Sequence, residues 1–182
     1  MTTILIPLAN GVEEMEAVIL VDVLRRARLD VVTAGVQGSP VTASRGIRIV
    51  PDKLWQDVCP DSFDVLAIPG GSEGANNLMN DTRVLDTIRA FDRAGKWIAA
   101  VCAGPLVLQK AGILNGRRVT CHPGVADQLT ATPRLTDRVV VDGRLITSQG
   151  PGTSFEFALT LVRLLVDPDK ALSLGKAMVL PL

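Results

Sequence analysis

The sequence predicts an α/β fold in which a mostly parallel sheet is covered by helices on both faces. Short apolar runs alternate along the chain with segments of helical periodicity, and several of these runs end in turns that contain glycine. Of the 182 residues, 47% are hydrophobic, which is enough for a large core. Because the chain has no repeat, low-complexity tract or linker, we expect residues 1–182 to form one domain.

The first half of the chain is expected to contain three buried strands, one long helix and a small hairpin. Asn10-Gly11 marks the turn before the helix. The helix has acidic residues in its first turn and arginines in its last, as the helix dipole favours. The expected strands are 3–8, 29–34 and 64–68, the helix is 13–28, and the hairpin is 40–50.

The second half continues the alternation of helices and strands. Pro105 suits a first helical turn, and Gly112 suits the end of the same helix. Thr153 and Glu156 have the spacing of a capping box. Helical segments are expected to end at about 94, and further helices are expected at 105–111, 153–166 and 168–177. The expected strands are 97–101 and 118–121, with two more forming a hairpin over 139–147.

The first helix predicts a homodimer. From Ala17 to Leu24 it is apolar almost all round, interrupted only by Asp22. A helix of this kind is covered on more than one side. One side must meet the sheet, and we expect the other to meet a second subunit.

Cys102 lies where a strand is expected to turn sharply into a helix. Ala100 and Gly104, two positions to either side, are small enough for the backbone to fold back on itself, as in a nucleophile elbow. The thiol would face free amides at the start of the helix, which favour a thiolate and are expected to lower its pKa. The alternative is an inert cysteine at the end of a core strand.

A reactive cysteine needs a group that moves protons, and three glutamates begin the first helix. Of Glu13, Glu14 and Glu16, we favour Glu16, because its position beside Met15 and Ile19 lets it point into a crevice. Burial there would raise the pKa of its carboxyl and suit it to acid–base work. The alternative is that all three acids are solvated and complement the helix dipole.

Other candidates also follow predicted strands. The backbone amides of Gly70 and Gly71, and that of Ala103 after the cysteine, could stabilise an oxyanion. His122 is the only histidine, so it is the one imidazole available as a base or an orienting group. Because the carboxyl ends of parallel strands meet at one edge of a sheet, we expect these residues to share one crevice. The alternatives are an ordinary glycine turn and a structural histidine.

Composition argues against several classes of function. The 19 basic and 19 acidic residues balance and tyrosine is absent, so neither a nucleic-acid surface nor a base-stacking platform is expected. No apolar run approaches the roughly 20 residues that a membrane helix needs. Cys59, Cys102 and Cys121 form no CxxC, which argues against a metal site or a disulfide framework and favours a reducing cytoplasm. No dinucleotide or phosphate-loop motif supports a nucleotide cofactor.

Four segments together resemble the ThiJ/PfpI superfamily, and in particular the branch of the Parkinsonism-associated protein deglycase. They are NGVEEMEAV at 10–18, LAIPGG at 66–71, AAVCAGP at 99–105 and TSQGPGTSFEFAL at 147–159, and both SRG at 44–46 and VTCHP at 119–123 fit as well. The resemblance runs from the first strand to the last helix. It implies a flavodoxin-like sandwich and a cytoplasmic homodimer through the first helix, without metal or cofactor.

The resemblance also implies roles for individual residues. Cys102 falls on the family's nucleophile, Glu16 on a buried, protonated glutamate that hydrogen-bonds the thiolate, and His122 on a nearby histidine. The backbone donors around the sulfur fall on Gly70, Gly71 and Ala103. Two arginines near the family's dimer interface, which can bind an anion, fall on Arg26 and Arg45.

Members of this branch convert methylglyoxal to lactate without glutathione, act as deglycases on glycated amines, and protect against oxidative stress. The resemblance therefore implies a Cys102-dependent glyoxalase/deglycase that acts on 2-oxoaldehydes and their early adducts and releases 2-hydroxy acids. The main alternative is a redox-sensing or chaperone protein whose Cys102 is oxidised to a sulfinate. A cysteine protease or amidotransferase is less favoured, because no acid is evidently placed to orient His122.

Overall fold

The structure is a computed structural model that describes residues 2–181 and contains one seven-stranded sheet. Its strands are β1 (Thr3–Leu8), β2 (Asp30–Gly35), β5 (Lys53–Leu54), β6 (Val65–Ile68), β7 (Trp97–Val101), β8 (Val139–Asp142) and β9 (Leu145–Ser148), while β3 (Val41–Thr42) and β4 (Arg48–Ile49) form a separate antiparallel pair. The order is β5-β2-β1-β6-β7-β9-β8, and only β8 is antiparallel to its neighbour. The predicted mostly parallel sheet is confirmed.

Helices cover both faces of the sheet. They are α1 (Glu14–Arg26), α2 (Ser72–Met79), α3 (Thr82–Arg93), α4 (Gly104–Ala111), α5 (Ser154–Leu165) and α6 (Pro168–Ala177). Alternate strand residues feed two cores: Leu5 belongs to the core with α2, α3 and α4, whereas Ile4 and Ile6 belong to the core with α1, α5 and α6. The architecture is therefore the flavodoxin-like α/β sandwich. Within residues 2–181, no helix is long and apolar enough to cross a membrane.

The predicted strand at 118–121 is wrong. This segment makes only an isolated bridge between Val119 and Arg134. A strand ladder does not form there because side chains take the backbone groups: Thr120 N–H donates to the Thr147 hydroxyl, and Arg134 Nε donates to the Cys121 carbonyl, each at 2.9 Å. The path into His122 is consequently a loop that lies beside β9.

The predicted capping box of α5 is also wrong. A short 3₁₀ turn at 151–153 precedes the helix, and Thr153 makes no capping hydrogen bond to it. Its hydroxyl instead donates to the Gly150 carbonyl at 2.9 Å, and the Glu156 carboxylate accepts from Arg138 at 2.6 Å. Thr153 therefore stabilises the loop before α5, and not the first turn of the helix.

The apolar surface of α1 is covered in part by the same chain. Its buried residues pack against the sheet and against α5. Met15 and Val18 remain 55% and 54% exposed on the outer side of the helix. One side of the helix thus meets the sheet as predicted, and the homodimer stays a prediction for the residues that α5 leaves uncovered.

Candidate active site

A crevice opens at the edge where the carboxyl ends of β1, β6 and β7 meet. Its cavity is about 490 Å³ in volume and is lined by both Cys102 and His122. The predicted residues that also line it are Arg45, Gly71 and Ala103. Glu16 lies behind the crevice and is fully buried. A larger cavity of about 630 Å³ lies between α5 and α6, and no cysteine or histidine lines it.

Cys102 occupies a sharp turn between β7 and α4, as predicted. Its φ angle of 63° lies in the left-handed region, which residues with a Cβ rarely adopt. A Cβ on Gly104 would lie 2.9 Å from the Ile68 carbonyl oxygen and 3.3 Å from the Ala100 Cβ. The turn therefore needs small residues on both sides of the cysteine, and it leaves the thiol partly exposed to the crevice.

Backbone amides surround the Cys102 sulfur and the Glu16 carboxyl. The N–H groups of Gly71 and Ala103 donate to the Cys102 sulfur. The Gly70 N–H instead donates to Glu16 Oε2 at 2.7 Å, so Gly70 holds the carboxyl and does not serve the sulfur. A Cβ on Gly70 would lie 2.5 Å from the Cys102 Cβ and 2.8 Å from Glu16 Oε2, so only glycine fits between the two side chains.

The Glu16 carboxyl is buried as predicted, and its protonation is perturbed. Burial raises its pKa to about 7, and the charge of Glu13 adds to the rise, whereas interactions with Cys102 and Gly70 oppose it. Glu16 Oε1 has no hydrogen-bond partner that meets ordinary geometry. A proton on this oxygen would give it a hydrogen to donate towards the thiol.

The predicted lowering of the Cys102 pKa is wrong. Burial raises the pKa of this thiol to about 12, and the negative charge of Glu16 contributes further, so together they outweigh the amides of Gly71 and Ala103. The Glu16 carboxyl and the Cys102 thiol titrate as a pair. Between the two pKa values, about 7 and about 12, the pair holds one negative charge. The amides at the sulfur favour that charge on Cys102, while the Gly70 amide favours it on Glu16.

His122 reaches the crevice through a backbone hydrogen bond to Cys102. Its N–H donates to the Cys102 carbonyl at 3.0 Å. Its Nδ1 accepts from the Gly124 N–H at 3.0 Å, which places the ring proton of a neutral imidazole on Nε2. No carboxylate among residues 2–181 hydrogen-bonds to this ring, so the crevice lacks the Cys–His–acid relay of a cysteine protease.

A sequence model of the DJ-1/PfpI family matches residues 2–164. The chain belongs to the DJ-1/PfpI family. A relative from Caenorhabditis elegans, the glutathione-independent glyoxalase DJR-1.2, is 42% identical over 179 residues, which are 97% of this chain and 95% of that protein.

Some DJ-1/PfpI relatives are much longer than this chain, and others match it over its whole length. The chain spans 40% of the Arabidopsis thaliana DJ-1 homolog B and 45% of homolog A, which it matches at 41% and 42% identity over 96% of its own length. Oxidized DJ-1 from Toxoplasma gondii superposes with a TM-score of 0.95 at 36% identity, with both chains fully covered.

The two arginines that the family resemblance singled out lie at different places. Arg45 lines the crevice, whereas Arg26 lies ten residues beyond Glu16 on α1, about 15 Å along the helix axis. Arg26 Nε donates to Asp22 at 2.6 Å. Within one chain Arg26 is therefore not brought to the site, and its predicted role depends on a second subunit.

Glu14, one of the three candidate acids, has a structural role that the sequence did not predict. This carboxylate is buried, accepts from the Ser44 hydroxyl at 2.7 Å and from the Arg45 backbone N–H at 2.8 Å, and so holds the β3–β4 hairpin beside the crevice. Burial alone would raise its pKa, but the hydrogen bonds lower it overall. The periodicity carried the signal, because Glu14 lies three residues before Ala17 on the buried stripe of α1.

Proposed function

We propose that this DJ-1/PfpI chain is a cysteine-dependent, glutathione-independent glyoxalase that converts methylglyoxal-type 2-oxoaldehydes into 2-hydroxy acids. The proposal rests on one arrangement: a crevice thiol with two N–H donors, next to a buried carboxyl whose pKa lies near neutrality. The chain's own Cys102 supplies the sulfur that glutathione would otherwise provide. The glyoxalase relative at 42% identity supports the same assignment.

The first step is addition of Cys102 to the aldehyde. Glu16 takes the proton of the Cys102 thiol, the thiolate attacks the aldehyde carbon, a C–S bond forms, and the carbonyl electron pair moves to oxygen. Glu16 gives its proton to that oxygen, while the amides of Gly71 and Ala103 stabilise the developing charge. The product is a hemithioacetal, and Glu16 is left as a carboxylate ready to accept a proton.

The second step moves a proton between adjacent carbons. Glu16 removes the proton from the former aldehyde carbon to give an enediolate, the hydroxyl proton of that carbon moves to the neighbouring oxygen, and Glu16 returns its own proton to the neighbouring carbon. The first carbon is thereby oxidised to a thioester and the second is reduced to an alcohol, so no external oxidant is needed. Water then cleaves the thioester, which releases lactate and regenerates the thiol, with the Nε2–H of His122 available as a donor.

The test measures lactate formed from methylglyoxal by purified variants. We expect Cys102→Ala to abolish turnover and Glu16→Gln to lower kcat by about 100-fold or more. Cys59→Ala is the matched control, because Cys59 is an exposed thiol outside the crevice and its loss should leave the rate unchanged. Lactate formation by Cys102→Ala at the wild-type rate would overturn the proposal.

The early adducts of the same aldehydes are the second substrate class that we propose. Hemithioacetals and aminocarbinols are attacked at the same carbon, with a thiol or amine as the leaving group. A preformed adduct should lose its aldehyde faster with enzyme even when a trap removes free methylglyoxal. If the trap abolishes the enzyme's effect, the activity is confined to free aldehyde.

We also propose that the protein acts in the cytoplasm, where this activity protects against carbonyl and oxidative stress.

Redox sensing is a second candidate function, favoured by the partial exposure of Cys102 and by the unpaired Glu16 Oε1. Two equivalents of peroxide would convert the thiol to sulfenic and then sulfinic acid, with one water released at each step. The sulfinate oxygens could accept from Gly71, Ala103 and a protonated Glu16. Mass spectrometry after mild peroxide should show two oxygens on Cys102 before Cys59 or Cys121 reacts, and the reverse order would exclude this role.

We also propose that the chain forms a homodimer through α1, with residues 1–182 as one domain. Support comes from the exposed Val18 on α1, which shares a cavity of about 300 Å³ with Val50 beyond β4. Val18→Glu should convert a dimer to a monomer in light scattering. Val179→Glu is the control, because Val179 is 88% exposed and does not line this cavity. A Val18→Glu dimer would contradict the proposed interface.

A further inference from the structure

The mouth of the crevice carries an excess of negative charge. Three charged side chains line it, and they are Glu13, Arg45 and Glu73. None of the three forms a salt bridge with any residue in 2–181. Within one chain, two acidic residues therefore line the opening against one arginine.

The two carboxylates are held in different ways. Glu13 Oε2 accepts from the Glu16 N–H at 2.8 Å, so its carboxylate caps α1. Glu73 is exposed and lies two residues beyond Gly71, whose N–H faces the sulfur. Its side chain lies across Gly11, where an added Cβ would be 2.9 Å from the Glu73 carboxyl carbon. Glu73 is thus the charge at the mouth that is not engaged in capping.

The proposed glyoxalase reaction turns an uncharged aldehyde into a carboxylate. Behind the mouth, the fully buried Glu16 is a further acidic group. We infer that Glu73, helped by Glu13, forms an acidic rim that selects uncharged over anionic carbonyl compounds and disfavours rebinding of the carboxylate product. This deepens the proposed function, on which its substrate assignment rests, and makes Glu73 a specificity-determining residue.

The rim can be tested with a matched pair of alkylating agents that need no turnover. Iodoacetamide is uncharged and iodoacetate is anionic, and both alkylate the same sulfur. Mass spectrometry of the full chain gives the ratio of the two rates at Cys102, and the exposed Cys59 of the same molecule gives an internal reference. Glu73→Gln should raise the iodoacetate-to-iodoacetamide ratio at Cys102 by about threefold to tenfold at low salt, and by less at high salt.

Two further variants set the sign and the specificity of the effect. Arg45→Met should lower the same ratio, because among the described residues of one chain Arg45 is the cation that lines the mouth. Asp169→Asn removes another exposed acid from a helix first turn, on α6, and should leave the ratio within about twofold of wild type. An unchanged ratio in Glu73→Gln, or an equal rise in Asp169→Asn, would overturn the acidic rim.

Steady-state kinetics with two aldehydes of different charge separate this inference from the proposed function. Phenylglyoxal and 4-carboxyphenylglyoxal differ by one carboxylate, and Glu73→Gln should raise kcat/KM for the anionic compound relative to the neutral one. The inhibition constant of lactate should fall in the same variant. If the alkylation ratio responds but wild type turns over neither these aldehydes nor methylglyoxal, the rim stands and the glyoxalase proposal fails.

Discussion

Glu16→Gln is expected to remove most of the pH dependence of folding stability near neutral pH. The glutamine keeps an oxygen that can accept from the Gly70 N–H, but it cannot ionise. In the wild-type chain, burial raises the pKa of Glu16 from 4.5 to about 7. The variant therefore isolates the free energy of placing a negative charge at this buried position.

The sign follows from which state binds the proton more tightly. Because the pKa is higher in the folded state, the unfolded chain loses this proton first, and the folded state becomes less stable as the pH rises from 4.5 towards 7. The shift corresponds to a loss of about 3 kcal/mol once the pH exceeds both values. Below pH 4.5 the carboxyl is protonated in both states and the contribution disappears.

Urea unfolding followed by circular dichroism measures this loss. Between pH 5 and pH 8, the wild-type free energy of unfolding should fall by about 2 to 3 kcal/mol more than that of Glu16→Gln. Glu156→Gln is the matched control, because Glu156 lies in an exposed ion pair with Arg138. Its pH dependence should follow that of wild type, with a nearly uniform offset below about 1 kcal/mol.

Equal pH dependence in wild type and Glu16→Gln would refute the reasoning. It would mean that the buried carboxyl ionises as easily in the folded chain as in the unfolded one. If the wild-type free energy of unfolding instead rose relative to that of Glu16→Gln between pH 5 and pH 8, the Gly70 hydrogen bond would outweigh the cost of burying the charge.

Three further variants probe the surroundings of the site. Gly70→Ala should cost about 2 kcal/mol or more in urea unfolding and abolish methylglyoxal turnover, because its Cβ would lie 2.5 Å from that of Cys102; near-normal turnover would contradict this. Glu14→Gln should speed hydrogen exchange at the Arg45 amide by about tenfold, since a charged acceptor is lost, and unchanged exchange would show that the hairpin is held otherwise. Leu161→Ala, in the fully buried core under α5, should cost about 2 to 5 kcal/mol in urea unfolding, and a cost below 1 kcal/mol would show that the core closes over the gap.

Much of the fold could be predicted because local patterns and tertiary packing agree. The strand at Trp97–Val101 has the predicted bounds, since an apolar run there is followed at once by the small residues of a sharp turn. The edge shared by Cys102 and Gly71 follows from parallel strands alone. Glu16 is buried as predicted, but not for the reason given, because Met15 beside it is 55% exposed; Glu16 instead shares the inward face of α1 with Leu20 and Val23.

The features that the sequence did not predict depend on contacts between segments far apart in the chain. His122 is positioned by the carbonyl of Cys102, twenty residues earlier, and not by a strand. The amides at a helix start predicted a lowered pKa for Cys102, but the cost of burying the charge depends on how completely the neighbouring loops cover the sulfur. Gly70 serves Glu16 instead of the sulfur for a similar reason, because the direction of one amide is fixed only in the folded chain.

The left-handed φ of Cys102 places the proposed nucleophile at odds with the stability of the chain that carries it. A residue with a Cβ pays about 1 to 2 kcal/mol in this conformation, and glycine does not. Mutation to glycine is therefore the one change at this position that relieves the backbone, and it is also a change that deletes the thiol. Drift under selection for folding alone would erode the cysteine, so its retention in a lineage would report selection for its chemistry.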